Sequence, residues 1–116
     1  MPNVTLALVK DLFFRSKLDA VAERASVEIA YASDLKSAAS RAAELHPSLV
    51  VVDLSLGDTV EIATTIRAVA PSARLVGFAS HVDLKPLRAA RETGFELALS
   101  KSEFTAQLPQ ILGAGA

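Results

Sequence analysis

The 116-residue chain contains no cysteine and no tryptophan, and only one methionine, one tyrosine and two histidines. The missing cysteines exclude disulfide staples, thiolate catalysis and cysteine-based metal sites, and they suit a reducing compartment. The histidines, His46 and His81, stand far apart and match no metal-ligand spacing. No stretch approaches the ~20 apolar residues that span a bilayer, and the Met1-Pro2-Asn3 start lacks the basic segment and apolar run of a secretory leader. A cytoplasmic location without membrane association is the expectation. Neither sign of charge is in excess: twelve basic against thirteen acidic residues leave a formal net charge of -1, so no global field draws the chain to nucleic acid or anionic lipid. Partners must be selected by local surface.

What is present is apolar. Hydrophobic residues make up 51% of the chain and charged ones 22%, enough to bury a core in one domain and too apolar for a disordered chain. Five short runs rich in β-branched residues stand out: Val4 to Val9, Val27 to Tyr31, Leu49 to Val52, Leu75 to Ala79 and Phe95 to Leu99. Between them lie segments of helical period: Asp11 to Ala25, Asp34 to Leu45, Thr59 to Val69, Leu84 to Glu92 and Glu103 to Leu112. In the first of these, Phe14, Leu18, Val21, Ala22 and Ala25 form one stripe that should lie on a sheet. Ser33 precedes the second helix, and Asp58 to Glu61 has capping-box spacing ahead of the third. His46-Pro47, Ala70-Pro71 and Gly94 mark helix ends, and Pro86 fits a first helical turn.

Leu49-Val50-Val51-Val52 reads as a central strand covered on both faces. Five βα units with short connections imply an α/β fold, a single doubly wound five-stranded parallel sheet with helices on both faces. Residues 1–112 form that domain, and 113–116 are expected to be a flexible C-terminal tail. Chemistry in such folds gathers at the carboxyl ends of the strands. Those ends carry Lys10 and Asp11, then Asp53, then Ala79-Ser80-His81, and finally Lys101.

Over essentially its whole length to about Leu112, with Asp11, Asp53 and Lys101 in place, the chain resembles the receiver domain of two-component response regulators, a flavodoxin-like (βα)5 fold. The resemblance implies that Asp53 stands at the phosphoacceptor position for a histidine kinase. It implies that Asp11, Asp53 and the Ser55 carbonyl are ligands of Mg²⁺, and that Lys101 is the lysine that neutralises the transferring group.

The departures are specific. Where the family has two adjacent acids after the first strand, this chain has Lys10-Asp11. An ammonium ~4 Å from a divalent ion would feel roughly 8 kcal/mol of repulsion at an effective dielectric of about 20, so metal binding should be weak and no cofactor is required. The hydroxyl that reads out the phosphoryl group falls on Ala79, or on Ser80 with a one-residue shift. The aromatic switch position is Ala98. A degenerate receiver is therefore expected: a stand-alone, phosphorylation-independent protein-interaction module that is not an enzyme, with Lys10 or Lys101 paired to Asp53 in place of the metal. Its partner would be a histidine kinase, another signalling protein or itself. The alternative is a working single-domain response regulator phosphorylated on Asp53 with Mg²⁺.

Partner-binding candidates are Phe13, which the apolar stripe leaves turned to the site mouth, and Arg88 and Arg91 on the fourth helix. Phe104 should pack the fifth helix on the sheet. A flavodoxin-like phosphate loop is disfavoured by the bulky Lys10-Asp11-Leu12-Phe13-Phe14 segment, and a phosphatase would want an acid at Ser55.

Overall fold

Each of the five βα units takes shape in the computed structural model, which describes residues 4–79 and 84–114. The chain runs β1 (Val4–Leu8), α1 (Leu12–Ala25), β2 (Glu28–Ala32), α2 (Leu35–Leu45), β3 (Leu49–Asp53), a 3-10 turn (Leu54–Leu56), α3 (Thr59–Val69), β4 (Arg74–Ala79), α4 (Lys85–Glu92), β5 (Leu97–Ser100) and α5 (Lys101–Ala114). All strand pairs are parallel, in the order β2-β1-β3-β4-β5. This is the expected doubly wound sheet. Ser80 and His81 lie outside the described residues.

The period of two along β3 divides the core. Leu49 and Val51 pack with Phe14, Leu18, Phe104 and Leu108 of α1 and α5, while Val50 and Val52 pack with Ile62, Ile66, Leu87 and Ala90 of α3 and α4. All four strand residues are fully buried, each side chain contributing on the order of 1.5–3 kcal/mol of hydrophobic free energy. The same alternation sends Asp53 out on the α1 and α5 side. Ala79 and Ala98 belong to the opposite core. On the Asp53 side, the rings of Phe14, Phe78 and Phe104 meet with centroids 4.7–5.9 Å apart.

Three helices open on an aspartate whose carboxylate accepts orphan N–H groups: Asp11 for α1, Asp34 for α2 and Asp58 for α3. Ser33, expected ahead of α2, instead accepts a hydrogen bond from Arg15 Nη2 at 3.0 Å, and the capping carboxylate is that of Asp34. Two helices end on non-glycine residues in the left-handed region, Ser26 (φ 56°) and His46 (φ 49°). At Gly94 (φ +87°) a Cβ would also come within 2.9 Å of the Arg67 guanidinium, which donates to the Thr93 carbonyl.

The fifth unit departs from its expected bounds at both ends. Phe95 does not start the strand, because its N–H closes α4 by donating to Ala90 O at 2.9 Å, and β5 begins at Leu97. The helix starts at Lys101 rather than Glu103. Ser100 Oγ accepts the Glu103 N–H at 3.1 Å and Glu103 Oε1 accepts the Ser100 N–H at 3.2 Å, a reciprocal capping box that joins strand to helix without a loop. At the far end α5 continues through Gly113 to Ala114, where a tail was expected to begin. Among the described residues no helix is long and apolar enough to cross a membrane.

Candidate functional site

Asp53 is the last residue of β3 and is half-buried, with Phe78 of β4 directly across the ladder. Its Oδ1 accepts two hydrogen bonds from Ser55, one from the backbone N–H at 3.0 Å and one from the hydroxyl at 2.7 Å. The carboxylate thus caps the short 3-10 turn that follows. Behind that turn, Leu54 fills the space left by Gly77, where a Cβ would meet three of its side-chain atoms at 3.0–3.1 Å.

Asp11 also has one oxygen committed. Its Oδ1 accepts the N–H groups of Phe13 and Phe14 at 2.9 and 3.2 Å, opening α1. Lys101, as the first residue of α5, extends its ammonium to 4.0 Å from Asp11 Oδ2 and to 4.8 Å above the centre of the Phe14 ring. Both partners of this ion pair are about half exposed, so the pair alone is worth no more than ~1 kcal/mol.

The expected pairing of Asp53 with a lysine is not what forms. Among the described residues neither Lys10 nor Lys101 comes within 4.0 Å of an Asp53 oxygen. The physical reason is local: the Ser55 N–H and hydroxyl reach Asp53 from two residues away at almost no cost in chain entropy, while Asp11 and the Phe14 ring offer Lys101 a nearer seat. Lys10 is exposed and forms no ion pair among the described residues.

Ala79 and Ala98, two of the three residues expected at the switch positions with Ser80, are buried at 4% exposure each. Ala79 pairs with Ser100 across the β4–β5 ladder, and the Ala98 carbonyl accepts from Arg91 Nη2 at 3.1 Å. That bond gives Arg91 a structural task in tying α4 to β5. Arg88 is exposed on α4, beside Leu84 and Leu87, in a cleft of about 320 Å³ that Arg91, Ser100 and Glu103 also line. Phe13 is 88% exposed and Leu12 is 71% exposed. Phe104 is fully buried, where the sequence puts it.

The divalent ion that the fold family implies is a poor match to these donors. Magnesium demands near-octahedral oxygen ligands at 2.0–2.1 Å and is bound through carboxylates and water. Here one acid of the expected pair is Lys10, and Asp11 and Asp53 each have an oxygen engaged. Among the described residues no three acidic or histidine side chains gather into a metal-sized group. An ion bonded to Asp11 Oδ2 at ~2.1 Å could be no farther than ~6 Å from the present position of the Lys101 ammonium, a repulsion of at least roughly 5 kcal/mol at an effective dielectric of about 20. That exceeds what holds the lysine, so a metal could enter only by expelling it.

Two further contributors carry their signal in the sequence. Ser55 acts through its hydroxyl as well as its backbone, and the Ser100-Lys101-Ser102-Glu103 stretch carries the Ser-x-x-Glu capping signal that sets where Lys101 starts. The seat of Lys101 on Phe14 has no such signal, since it depends on α1 and α5 lying side by side.

No protein-family model matches the sequence, and no curated protein matches it either. In three dimensions the likeness is close. The chain superposes on the chemotaxis response regulator CheY4 of Vibrio cholerae with a TM-score of 0.82 at 14% identity, covering 100% of both chains. It superposes on NtrX from Brucella abortus with a TM-score of 0.84 at 19% identity, covering 99% of this chain and 26% of that one. A response regulator from Burkholderia pseudomallei, with a phosphorylated aspartic acid and a calcium ion, matches at 0.79 and 18% identity over 97% of this chain and 66% of that one. The chain has the doubly wound (βα)5 fold of CheY-like response-regulator receiver domains.

Proposed function

We propose that the chain is a receiver-like signalling domain that acts as a phosphorylation-independent, non-enzymatic protein-interaction module. The observation that carries this reading is the pair of buried alanines, Ala79 and Ala98. In a receiver, charge arriving at the strand-end aspartate has to move a hydroxyl and an aromatic side chain to change the distant surface. A methyl group has neither a proton to share nor a ring to swing. Without them the two states lose the differential contacts that would separate them, and one conformation prevails.

A binding role is supported by the surface around the site. The large apolar side chains left exposed among the described residues are Leu12, Phe13, Val60 and Leu84. Leu12, Phe13 and Val60 sit in the opening turns of α1 and α3 and Leu84 is the N-cap of α4, the helix ends that lie at the carboxyl end of the sheet. An apolar rim of this kind is what a protein partner covers. Arg88, exposed on α4, extends the surface on one side.

The test is exposure to acetyl phosphate with Mg²⁺, followed by intact mass and amide spectra. The reading predicts an unchanged spectrum, and phosphorylation of Asp53 accompanied by a change of shape would overturn it. A second reading, a working phosphoreceiver, is favoured by one observation: Asp53 Oδ2 accepts no hydrogen bond among the described residues. It predicts a gain of one phosphoryl mass that Asp53→Asn abolishes.

A further inference from the structure

We infer that the site carries its own cation: the Lys101 ammonium takes the place of a divalent ion between α1 and α5, and Lys10 is the residue that keeps that ion out. This rests on the reading above and deepens it, by saying what holds the site in one state.

Three independent features position Lys101. Its backbone is fixed at the first turn of α5 by the Ser100–Glu103 capping box. Its ammonium faces Asp11 Oδ2 at 4.0 Å, and the Phe14 ring lies beneath it at 4.8 Å. Phe14 in turn touches Phe78 at 5.0 Å and Phe104 at 5.9 Å between centroids. Phe104 is on α5 itself, so the lysine closes a ring of contacts from α5 to α1 and back through the aromatic cluster. A metal ion at Asp11 would sever that ring.

Charge counting points to Lys10 as the gate. Among the described residues at the strand ends, Asp11 and Asp53 supply two negative charges and Lys10 and Lys101 two positive ones, so these four balance without any ion. The Lys101 side chain could swing into solvent if a divalent ion competed for Asp11, since it is half exposed. What the ion would then lack is the second carboxylate, and in its place it would find a second ammonium. Replacing Lys10 by an acid changes the local charge by two and supplies that ligand. Because Lys10 is exposed and forms no ion pair among the described residues, the exchange leaves the fold alone.

The experiment is a Mn²⁺ titration followed by paramagnetic broadening of amide signals, on wild type, Lys10→Asp and Lys101→Met. Wild type should show no saturable broadening at Asp11, Asp53 or Ser55 in the low-millimolar range, while K10D should show it there. Lys101→Met should shift the ring signals of Phe14 and Phe104 and leave wild-type metal exclusion in place, because Lys10 remains. Saturable broadening in wild type, no gain in K10D, or unmoved ring signals in K101M would each overturn the inference. None of these outcomes bears on whether Asp53 phosphorylation alters partner binding, so this inference can fail while the proposed function stands.

Discussion

Lys101 answers to Asp11, with its ammonium 4.0 Å from the carboxylate, while Asp53 two strands away in the sequence order is satisfied by its own neighbour Ser55. The aspartate and the lysine expected to pair are each engaged elsewhere.

Ser100→Ala removes the hydroxyl that accepts the Glu103 N–H and should lower stability by about 1 kcal/mol in a urea melt. Glu103→Ala should cost less, since it opens only the reverse half of the box. The Lys101→Met ring shifts should be reproduced in part by Ser100→Ala, because loosening the first turn of α5 moves the Lys101 ammonium from its place over the Phe14 ring.

Ser26 and His46 hold positive φ angles at the ends of α1 and α2, with exposed side chains. Glycine adopts that region without the steric penalty of a Cβ, so Ser26→Gly and His46→Gly should each raise stability by roughly 0.5–1 kcal/mol, a gain readable as a higher melting temperature.

Gly77→Ala pushes a methyl group into Leu54, the residue after Asp53. Overpacking at so tight a contact should cost about 1–3 kcal/mol, and the amide signal of Ser55 should move with it because Leu54 leads the 3-10 turn. An unchanged Ser55 signal would show that the turn and the sheet are not coupled.

How much of this could be read from the chain alone differs between fold and site. The fold was legible because Leu49 to Val52 and the helix stripe from Phe14 to Ala22 carry their periods openly, and because Pro47, Pro71 and Gly94 punctuate them. Element ends differ where a nearby cap takes a backbone group, as where the Phe95 N–H closes α4 and Ser100 opens α5. The positions of Asp11, Asp53 and Lys101 at the strand ends followed from the same periodicity. Their pairing did not, since it is decided by distances between α1 and α5 that no spacing along the chain encodes.

The single tyrosine gives a clean pH probe. Burial, then the hydrogen bond to Asp19 at 2.6 Å, raise the Tyr31 phenol above its ordinary value of 10.0. A raised folded-state value contributes stability that is fully present below pH 10.0 and lost as pH rises from there through the raised value. Ultraviolet absorbance should therefore show Tyr31 ionising later in wild type than in Asp19→Ala, with alkaline unfolding shifted the same way. At the acid end the sign reverses: the Ser37 N–H holds the Asp34 carboxyl below 3.8, so its stabilisation is present above that value and is lost as pH falls through the lowered one.

The central claim, that the domain is bound in one conformation whatever the state of Asp53, is tested most directly by partner affinity. A protein captured from the native host would be purified and its binding to wild type and to Asp53→Asn compared, asparagine keeping an acceptor for Ser55 while removing the charge and the phosphoacceptor. Affinities equal to within about twofold, ~0.4 kcal/mol, are predicted; a loss of tenfold or more in the variant, ~1.4 kcal/mol, or a gain of that size on treating wild type with acetyl phosphate, would contradict the account.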